Sequence, residues 1–283
     1  MTGASDNHIY SMVNCVLSSI LKFPNSSVII LDYGLSNKSI CSLSWLYSTI
    51  HDYHRALGIK AHLYYRKYNF NAFPSWMNIT SKVTRGGYGW KVISIVDALS
   101  QWNATLMWND AGNIMKPHMN RGFACFEEER IYVPYDKGTL RSTYSKHSYD
   151  FMVENKLAAA VNKSYSTSRA GFMLFDYRNS TIRDRILLPW FQCAFTQKCL
   201  MPKGERCFPI HTTLPEQGAM GMLLRTVGIK YSGKREYNYF PKFWNEIPEK
   251  QGFKNNLFKS FTSQIMLALR SNNATISSDI YKC

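Results

Sequence analysis

Two short apolar runs in this chain end in an acid: SVIILDYG over residues 27–34 and ATLMWND over residues 104–110. Each is too short for a core helix and lacks the alternation of a half-exposed strand. Both therefore read as strands buried on two faces. Each follows a stretch with helical spacing. In HIYSMVNCVLSSILKF (8–23), Ile9, Met12, Val13, Val16, Leu17, Ile20 and Leu21 recur on one face. Asp6 or Asn7 can cap its start, and Pro24-Asn25 ends it. GYGWKVISIVDALSQWN (87–103) repeats the pattern with Val92, Ile93, Val96 and Leu99. Between them, SICSLSWLYSTIHDYHRAL (39–57) reads as a helix, IKAHLYYRKY (59–68) as a strand and FNAFPSW (70–76) as a loop. Alternation of this kind predicts an α/β fold, a mostly parallel sheet with helices on both faces.

The second half is less regular. IYVP (131–134) reads as a strand and YDFMVENKLAAA (149–160) as a helix, and RAGFMLFDYRN (169–179) as glycine, strand and turn. Residues 180–199 predict a helix broken or kinked at Pro189. PEQGAMGMLLRTVG (215–228) opens on a proline that a first helical turn tolerates and ends at Gly228. LFKSFTSQIMLALR (257–270) predicts a final amphipathic helix. No linker divides the chain, so one domain is expected over 1–283. Its first part, 1–113, would be a nucleotide-type half-sheet, and 114–283 would shape a second pocket.

The 283 residues carry a net charge of +15, which reads either as a soluble basic surface or as a field for an acidic partner. The Lys and Arg are dispersed, without an arginine-rich block or zinc-finger spacing, so sequence-specific nucleic-acid binding is not expected. A pocket for a phosphorylated small molecule fits a dispersed field better. No run approaches the ~20 apolar residues of a membrane span, and MTGASDNH lacks the basic start and apolar core of a secretory leader. Membrane association is thus expected only through an anchor outside this sequence. If the chain is complete as given, the cytoplasm is the expected location. Two features point instead to a secretory-pathway lumen. Cys193, Cys199 and Cys207 lie close enough in sequence for two of them to bridge. Seven Asn-x-Ser/Thr triplets occur, at Asn25, Asn37, Asn78, Asn103, Asn162, Asn179 and Asn273; roughly three would arise by chance in such a composition. Cys15 falls on the apolar face of a predicted helix and reads as a core residue.

The acid in Trp108-Asn109-Asp110-Ala111-Gly112-Asn113 has two readings. Asp, Asn and Gly form turns, and a carboxylate at a strand tip can also hold a metal or position a phosphate. In an open parallel sheet, ligands sit beyond the carboxyl ends of the strands. Polar groups at three such ends, Ser5-Asp6-Asn7-His8, Asp32-Tyr33 and Asn109-Asp110, are expected to converge on one rim.

The series TGASDNH, SVIILDYGLS, GYGWKVISIVDAL, ATLMWNDAG, RAGFMLFD and PEQGAMGMLL, in that order over roughly residues 2–230, resembles the glycosyltransferase-A fold. Within it, the chain looks most like a eukaryotic family of glycosyltransferase-like proteins, expanded in nematodes and distantly similar to glycogenin-like sugar transferases. The resemblance implies transfer of a sugar from a nucleotide diphosphate sugar to a hydroxyl on a glycan or protein, in the Golgi. The fold's Asp-x-Asp motif, which holds a divalent metal, usually manganese, would be Asp110-Ala111-Gly112. Glycine stands where the second acid belongs. Asn113 can supply an oxygen one residue later, or Lys91 or Lys116 can neutralise the leaving phosphate without a metal. By the same resemblance Asp6, Asn7 and His8 receive the nucleotide, Asp32 faces base or ribose, and Tyr33 stacks there. Lys91 in Trp90-Lys91 reaches the donor phosphates, and Gly171 lets a sugar approach the backbone. Glu216 and Gln217 are the acid–glutamine pair that opens a late helix. Glu216 is the first candidate for a catalytic base, ahead of Asp176 and Asp184. The late His-x-x-Gly metal ligand of glycogenin-like enzymes is missing, and His211 reads as a pocket or surface residue. The competing expectation is a glycan- or nucleotide-binding module without catalysis, which Gly112 favours.

Overall fold

The computed structural model of the protein describes residues 1–79, 85–115, 120–202 and 215–229. Lys116, Cys207, His211, Asn273 and the helix expected over 257–270 lie outside them. The chain forms two compact units. Of the described residues, 1–68, 109–115 and 120 belong to the first, and 69–108 and those from 121 onward to the second.

The first unit contains β1 (Thr2–Ala4), α1 (Ile9–Lys22), β2 (Val28–Asp32), α2 (Asn37–Ala56) and β3 (Leu63–Lys67). The strands form a sheet in the order β1-β2-β3 with both pairings parallel, as the alternation predicts. Ala4 stands opposite Asp32, and Asp32 opposite Lys67. The periodic face of α1, from Ile9 to Ile20, packs with Leu43, Leu46 and Ile50 of α2 and with Val28 and Ile30 of β2. Burying each such side chain contributes about 1.5–3 kcal/mol, so the pattern that marks α1 in the sequence also fixes it to the sheet. α2 begins at Asn37 because the Ser36 hydroxyl accepts from the Ser39 N–H. Ala111 reaches the same core from the far end of the unit's sequence.

The remaining elements are α3 (Gly89–Trp102), β4 (Thr105–Asn109), α4 (Asn120–Glu129), β5 (Ile131–Tyr132), β6 (Tyr135–Thr139), α5 (Leu140–Thr143), α6 (Lys146–Glu154), β7 (Ser166–Ser168), β8 (Phe172–Asp176), α7 (Ser180–Ile182), α8 (Leu188–Phe195), α9 (Gln197–Leu200) and α10 (Pro215–Val227). β8 is buried throughout and lies between β4 and β5. The α/β class holds, and the expectation of a mostly parallel sheet is met in part, at β1-β2-β3. β5 runs antiparallel to β8, and β6 pairs antiparallel with β7. Arg130, between α4 and β5, is left-handed at φ 60°.

Two helices also differ from expectation. α6 starts three residues early, where the Ser145 hydroxyl accepts from the Ser148 N–H at 3.2 Å, and stops at Glu154. Lys156, at φ 57°, then turns the backbone away from the helix. The 180–199 helix is three helices with a π turn at Arg183–Leu187, and Pro189 falls in the first turn of α8. Proline lacks an N–H and crowds the carbonyl four residues back, and a wider turn relieves both problems. Cys193 and Cys199 form a buried disulfide between α8 and α9, Cα to Cα 5.3 Å. Before α3, four successive residues are left-handed: Arg85, Gly86, Gly87 and Tyr88, with φ from 45° to 62°. A Cβ at Gly86 would sit 2.1 Å from the Met77 carbonyl oxygen, so only glycine fits there. No helix among the described residues is long and apolar enough to cross a membrane.

Candidate functional site

Two of the three polar strand ends are joined directly. The Tyr33 N–H donates to the Ala4 carbonyl at 2.9 Å, and just beyond it the Ser36 N–H donates to Asp6 Oδ1 at 2.7 Å. That backbone hydrogen bond, more than any other contact, holds the Asp6 carboxyl below its ordinary range, so the group is charged at neutral pH. Asp6, Asn7 and His8 are all exposed. Asp32 is fully buried. Its Oδ1 accepts from the Gly34 and Leu35 N–H groups at 2.7 and 2.6 Å, and its Oδ2 from the Tyr65 hydroxyl at 2.5 Å. Burial, with Asp32 beside it, pushes the Tyr65 phenol up to about 12. Tyr33 is buried against Tyr68, ring centroids 5.5 Å apart, and its ring would lie 2.4 Å from a Cβ on Gly3. The Asp32 carboxylate is therefore committed to the turn after β2, and the Tyr33 ring to the core. The side chains that this rim offers to solvent are those of Asp6, Asn7 and His8.

The third strand end divides its six residues between two tasks. The Asn109 N–H donates to the Met1 carbonyl at 3.0 Å, and its side-chain Nδ2 donates to Cys15 Sγ at 3.2 Å. Asn113 Nδ2 donates to Asn109 Oδ1 at 2.9 Å, and the Met115 N–H donates to the Ser18 hydroxyl at 3.0 Å. Both amide side chains are thus buried fasteners that hold the turn on α1. Burial pushes the Cys15 thiol up to about 12, which keeps it a neutral partner in this network. The turn is closed by the backbone, with the Asn113 N–H donating to the Asp110 carbonyl at 2.9 Å. Asp110 is half-exposed and Gly112 exposed, and a Cβ on Gly112 would meet nothing within 4 Å. This turn starts beside Met1, at the N-terminal end of β1, whereas Asp6 and Asp32 flank its C-terminal end.

A hard cation such as manganese takes several oxygen ligands. The side chain proposed as the second ligand, Asn113, is turned inward onto Asn109. Among the described residues no group of three or more His, Cys, Asp or Glu is placed to hold a metal ion. The described residues around Asp110 do not fit a resident metal.

In the second unit, Lys91 lies in the first turn of α3 and is 4% exposed. Its Nζ points at the Ala170 carbonyl, 3.4 Å away, and lies 5.5 Å from the Tyr88 ring centroid and 5.7 Å from that of Trp108. Aromatic faces stabilise an ammonium group that has left water. Gly171 follows Ala170 directly, so two segments separately expected to meet the donor arrive together. The Trp90 indole N–H donates to the Arg85 carbonyl at 3.1 Å and ties this helix turn to the left-handed entry. Sequence reasoning did not find Tyr88, Trp108 or the Ala170 carbonyl. The aromatics flanking Lys91 in Tyr88-Gly89-Trp90-Lys91 were the available signal.

Glu216 is 1% exposed in the first turn of α10, where the helix dipole favours a carboxylate. Its backbone carbonyl accepts from the Trp190 indole N–H at 3.0 Å. Gln217 is half-buried, and its carbonyl accepts from the Ser168 hydroxyl at 2.8 Å. The two secondary base candidates are held by arginines. Asp176 takes both Nε and Nη2 of Arg178, at 2.8 and 2.9 Å, and this holds its carboxyl below the ordinary range. Asp184 is paired with Arg183 at 2.7 Å.

No family model and no curated protein matches the chain. Solved structures do. One is the WbbM bifunctional glycosyltransferase in its apo form, 13% identical with a TM-score of 0.43 over 70% of this chain and 36% of that one. This chain therefore spans about a third of the length of WbbM. Another is the galactosyltransferase LgtC in complex with donor and acceptor sugar analogues, 10% identical with a TM-score of 0.49 over 96% of this chain and 98% of that one. Likeness at this level assigns no function, which must come from the side chains.

Proposed function

We propose that the protein is a glycosyltransferase that moves a sugar from a nucleotide diphosphate sugar to a hydroxyl of a glycan or protein acceptor. The observation that carries this reading is the buried ammonium of Lys91 against Ala170-Gly171. Lys91 and Gly171 were tied to donor binding in separate segments of the sequence, and Lys91 meets Ala170, the neighbour of Gly171, across 79 residues of chain. A fixed cation in a water-poor setting stabilises a departing diphosphate far better than one in bulk solvent. In the transfer, the bond from the sugar C1 to the diphosphate oxygen breaks and a bond from C1 to the acceptor oxygen forms. Lys91 offsets the charge left on the diphosphate. The acceptor gives up its hydroxyl proton, and Glu216, with Gln217 beside it, is the group assigned to receive it.

In the first unit, Asp110 and Gly112 are assigned to the donor, and Asp6, Asn7 and His8 to the nucleotide. All five are at least half-exposed. Asn113 and Asp32 take supporting roles, fixing the backbone of those two segments. The reaction compartment assigned by the same reading is the Golgi lumen.

The test is release of nucleoside diphosphate from a panel of nucleotide sugars, with and without manganese, by the wild-type chain and by Lys91→Met. Turnover by the wild type that is lost in the variant supports the assignment. Equal turnover by both removes Lys91 from it. A second reading, a binding module without catalysis, draws on the absent second acid at Gly112. Saturable donor binding without turnover, with any donor, would select it.

A further inference from the structure

The asparagines in this chain sort by position in a way that sugar transfer does not use. Among the described residues three are buried, Asn14, Asn109 and Asn113, and none of them begins an Asn-x-Ser/Thr triplet. Four that do begin one, with the whole triplet described, are exposed: Asn25, Asn37, Asn103 and Asn162. They sit at places where a bulky attachment meets little resistance. Asn25 is in the turn between α1 and β2, and Asn37 is the first residue of α2. Asn103 is the left-handed cap that ends α3, φ 43° and ψ 50°. Asn162 is in the loop before β7, where its Oδ1 accepts from both the Ser164 N–H and the Ser164 hydroxyl at 2.9 and 2.8 Å. That arrangement uses the side-chain oxygen and not Nδ2, the atom that would be modified. Asn179 differs. It is half-buried and folded over the first turn of α7, where its Oδ1 accepts from the Ile182 N–H at 3.1 Å.

A second, independent feature requires the same environment. The Cys193–Cys199 disulfide is fully buried between α8 and α9. Disulfides of this structural kind form and persist in oxidising compartments, where triplet asparagines also meet their modifying enzyme.

We propose that Asn25, Asn37, Asn103 and Asn162 are N-glycosylation sites of the folded protein and that Asn179 is left unmodified. The co-reactant is an oligosaccharide carried on a polyisoprenyl diphosphate. The bond between the sugar C1 and the diphosphate oxygen breaks, a bond from C1 to Asn Nδ2 forms, and Nδ2 loses one proton. The polyisoprenyl diphosphate leaves. This reaction is done to the chain and does not depend on the chain's own activity.

The experiment directs the full chain into the secretory pathway of insect cells behind a cleavable leader. Purified protein is then treated with peptide N-glycosidase in heavy-oxygen water, and the peptides are mapped by mass spectrometry. Label is expected at positions 25, 37, 103 and 162 and not at 179. Ser164→Ala should remove one step from the gel-mobility ladder, and Thr181→Ala should leave the ladder unchanged. Label at 179, or its absence at two or more of the four sites, overturns the proposal. If little protein is secreted, the intracellular pool is treated with endoglycosidase H, and the single N-acetylglucosamine that it leaves on Asn is mapped by mass and judged by the same positions.

Discussion

Replacing Gly112 by Asp asks whether the outward half of the Asp110 turn is built as described. A Cβ at position 112 meets nothing within 4 Å, the residue is exposed, and its φ lies outside the left-handed range. The new side chain should therefore cost less than about 0.5 kcal/mol, as for a surface substitution away from special features. It places a second carboxylate two residues from Asp110, which is itself half-exposed. In a water-exposed setting, unit charges 4 Å apart interact by about 1 kcal/mol, hence about 2 kcal/mol for a dication. Manganese should then bind roughly thirtyfold more tightly to Gly112→Asp than to wild type at low salt. The gain should shrink as salt is raised, because both acids face solvent. Electron paramagnetic resonance of free manganese measures the affinity, and thermal denaturation checks the fold. No gain in affinity would mean that Asp110 and position 112 do not face one another. A stability loss of several kcal/mol would mean that position 112 is not open, and the account of this turn would fail.

Four other outcomes are expected. Lys91→Met should lower nucleotide diphosphate release by roughly 10- to 150-fold, the worth of one hydrogen bond to a charged group, with Lys91→Arg intermediate. Steady-state kinetics would refute this by finding the Met variant unimpaired. Gly86→Ala should destabilise the protein by at least about 2 kcal/mol, from left-handed strain together with the 2.1 Å approach to Met77, read as a shifted urea midpoint. Reducing Cys193–Cys199 opens the covalent loop that constrains the unfolded chain and should cost about 2 kcal/mol for a loop this short, measured by denaturation with and without reductant. Burial holds the His54 imidazole below its ordinary value of 6.5, so the unfolded chain takes up a proton that the folded chain resists. Stability should be fully present above about pH 6.5 and decline as the pH falls below it, and His54→Gln should flatten that decline in urea titrations.

The elements legible in the sequence are those whose burial leaves a period. α1, β2, α3 and β4 carry uninterrupted apolar spacing because each is covered by a core. α4 was missed because its NRGFACFEEE has few apolar residues and a strongly acidic end. β6 and β7 were missed because YDKGT and STS pair through their backbones and offer no apolar alternation. The end of α6 was overrun because KLAAA has good helix propensity, and only the left-handed Lys156 shows that the backbone has turned. At the site, the residue types were legible but their loyalties were not. Nothing in LDYG tells whether its acid faces a ligand or its own turn. Nor can spacing show that Lys91 lies against Ala170, or that the first amide of WNDAGN meets a cysteine on α1 and the second meets the first.

The seat of Cys15 has a consequence for how the molecule is made. Its partner Asn109, and the turn running on to Met115, which bonds Ser18 one helical turn along α1, are encoded nearly a hundred residues downstream, after the whole of α3 and at the end of β4. A ribosome releases α1, β2, α2 and β3 long before it releases the piece that covers that thiol. The early sheet must therefore stand open on one side during synthesis, and no single cut in the gene can deliver it finished.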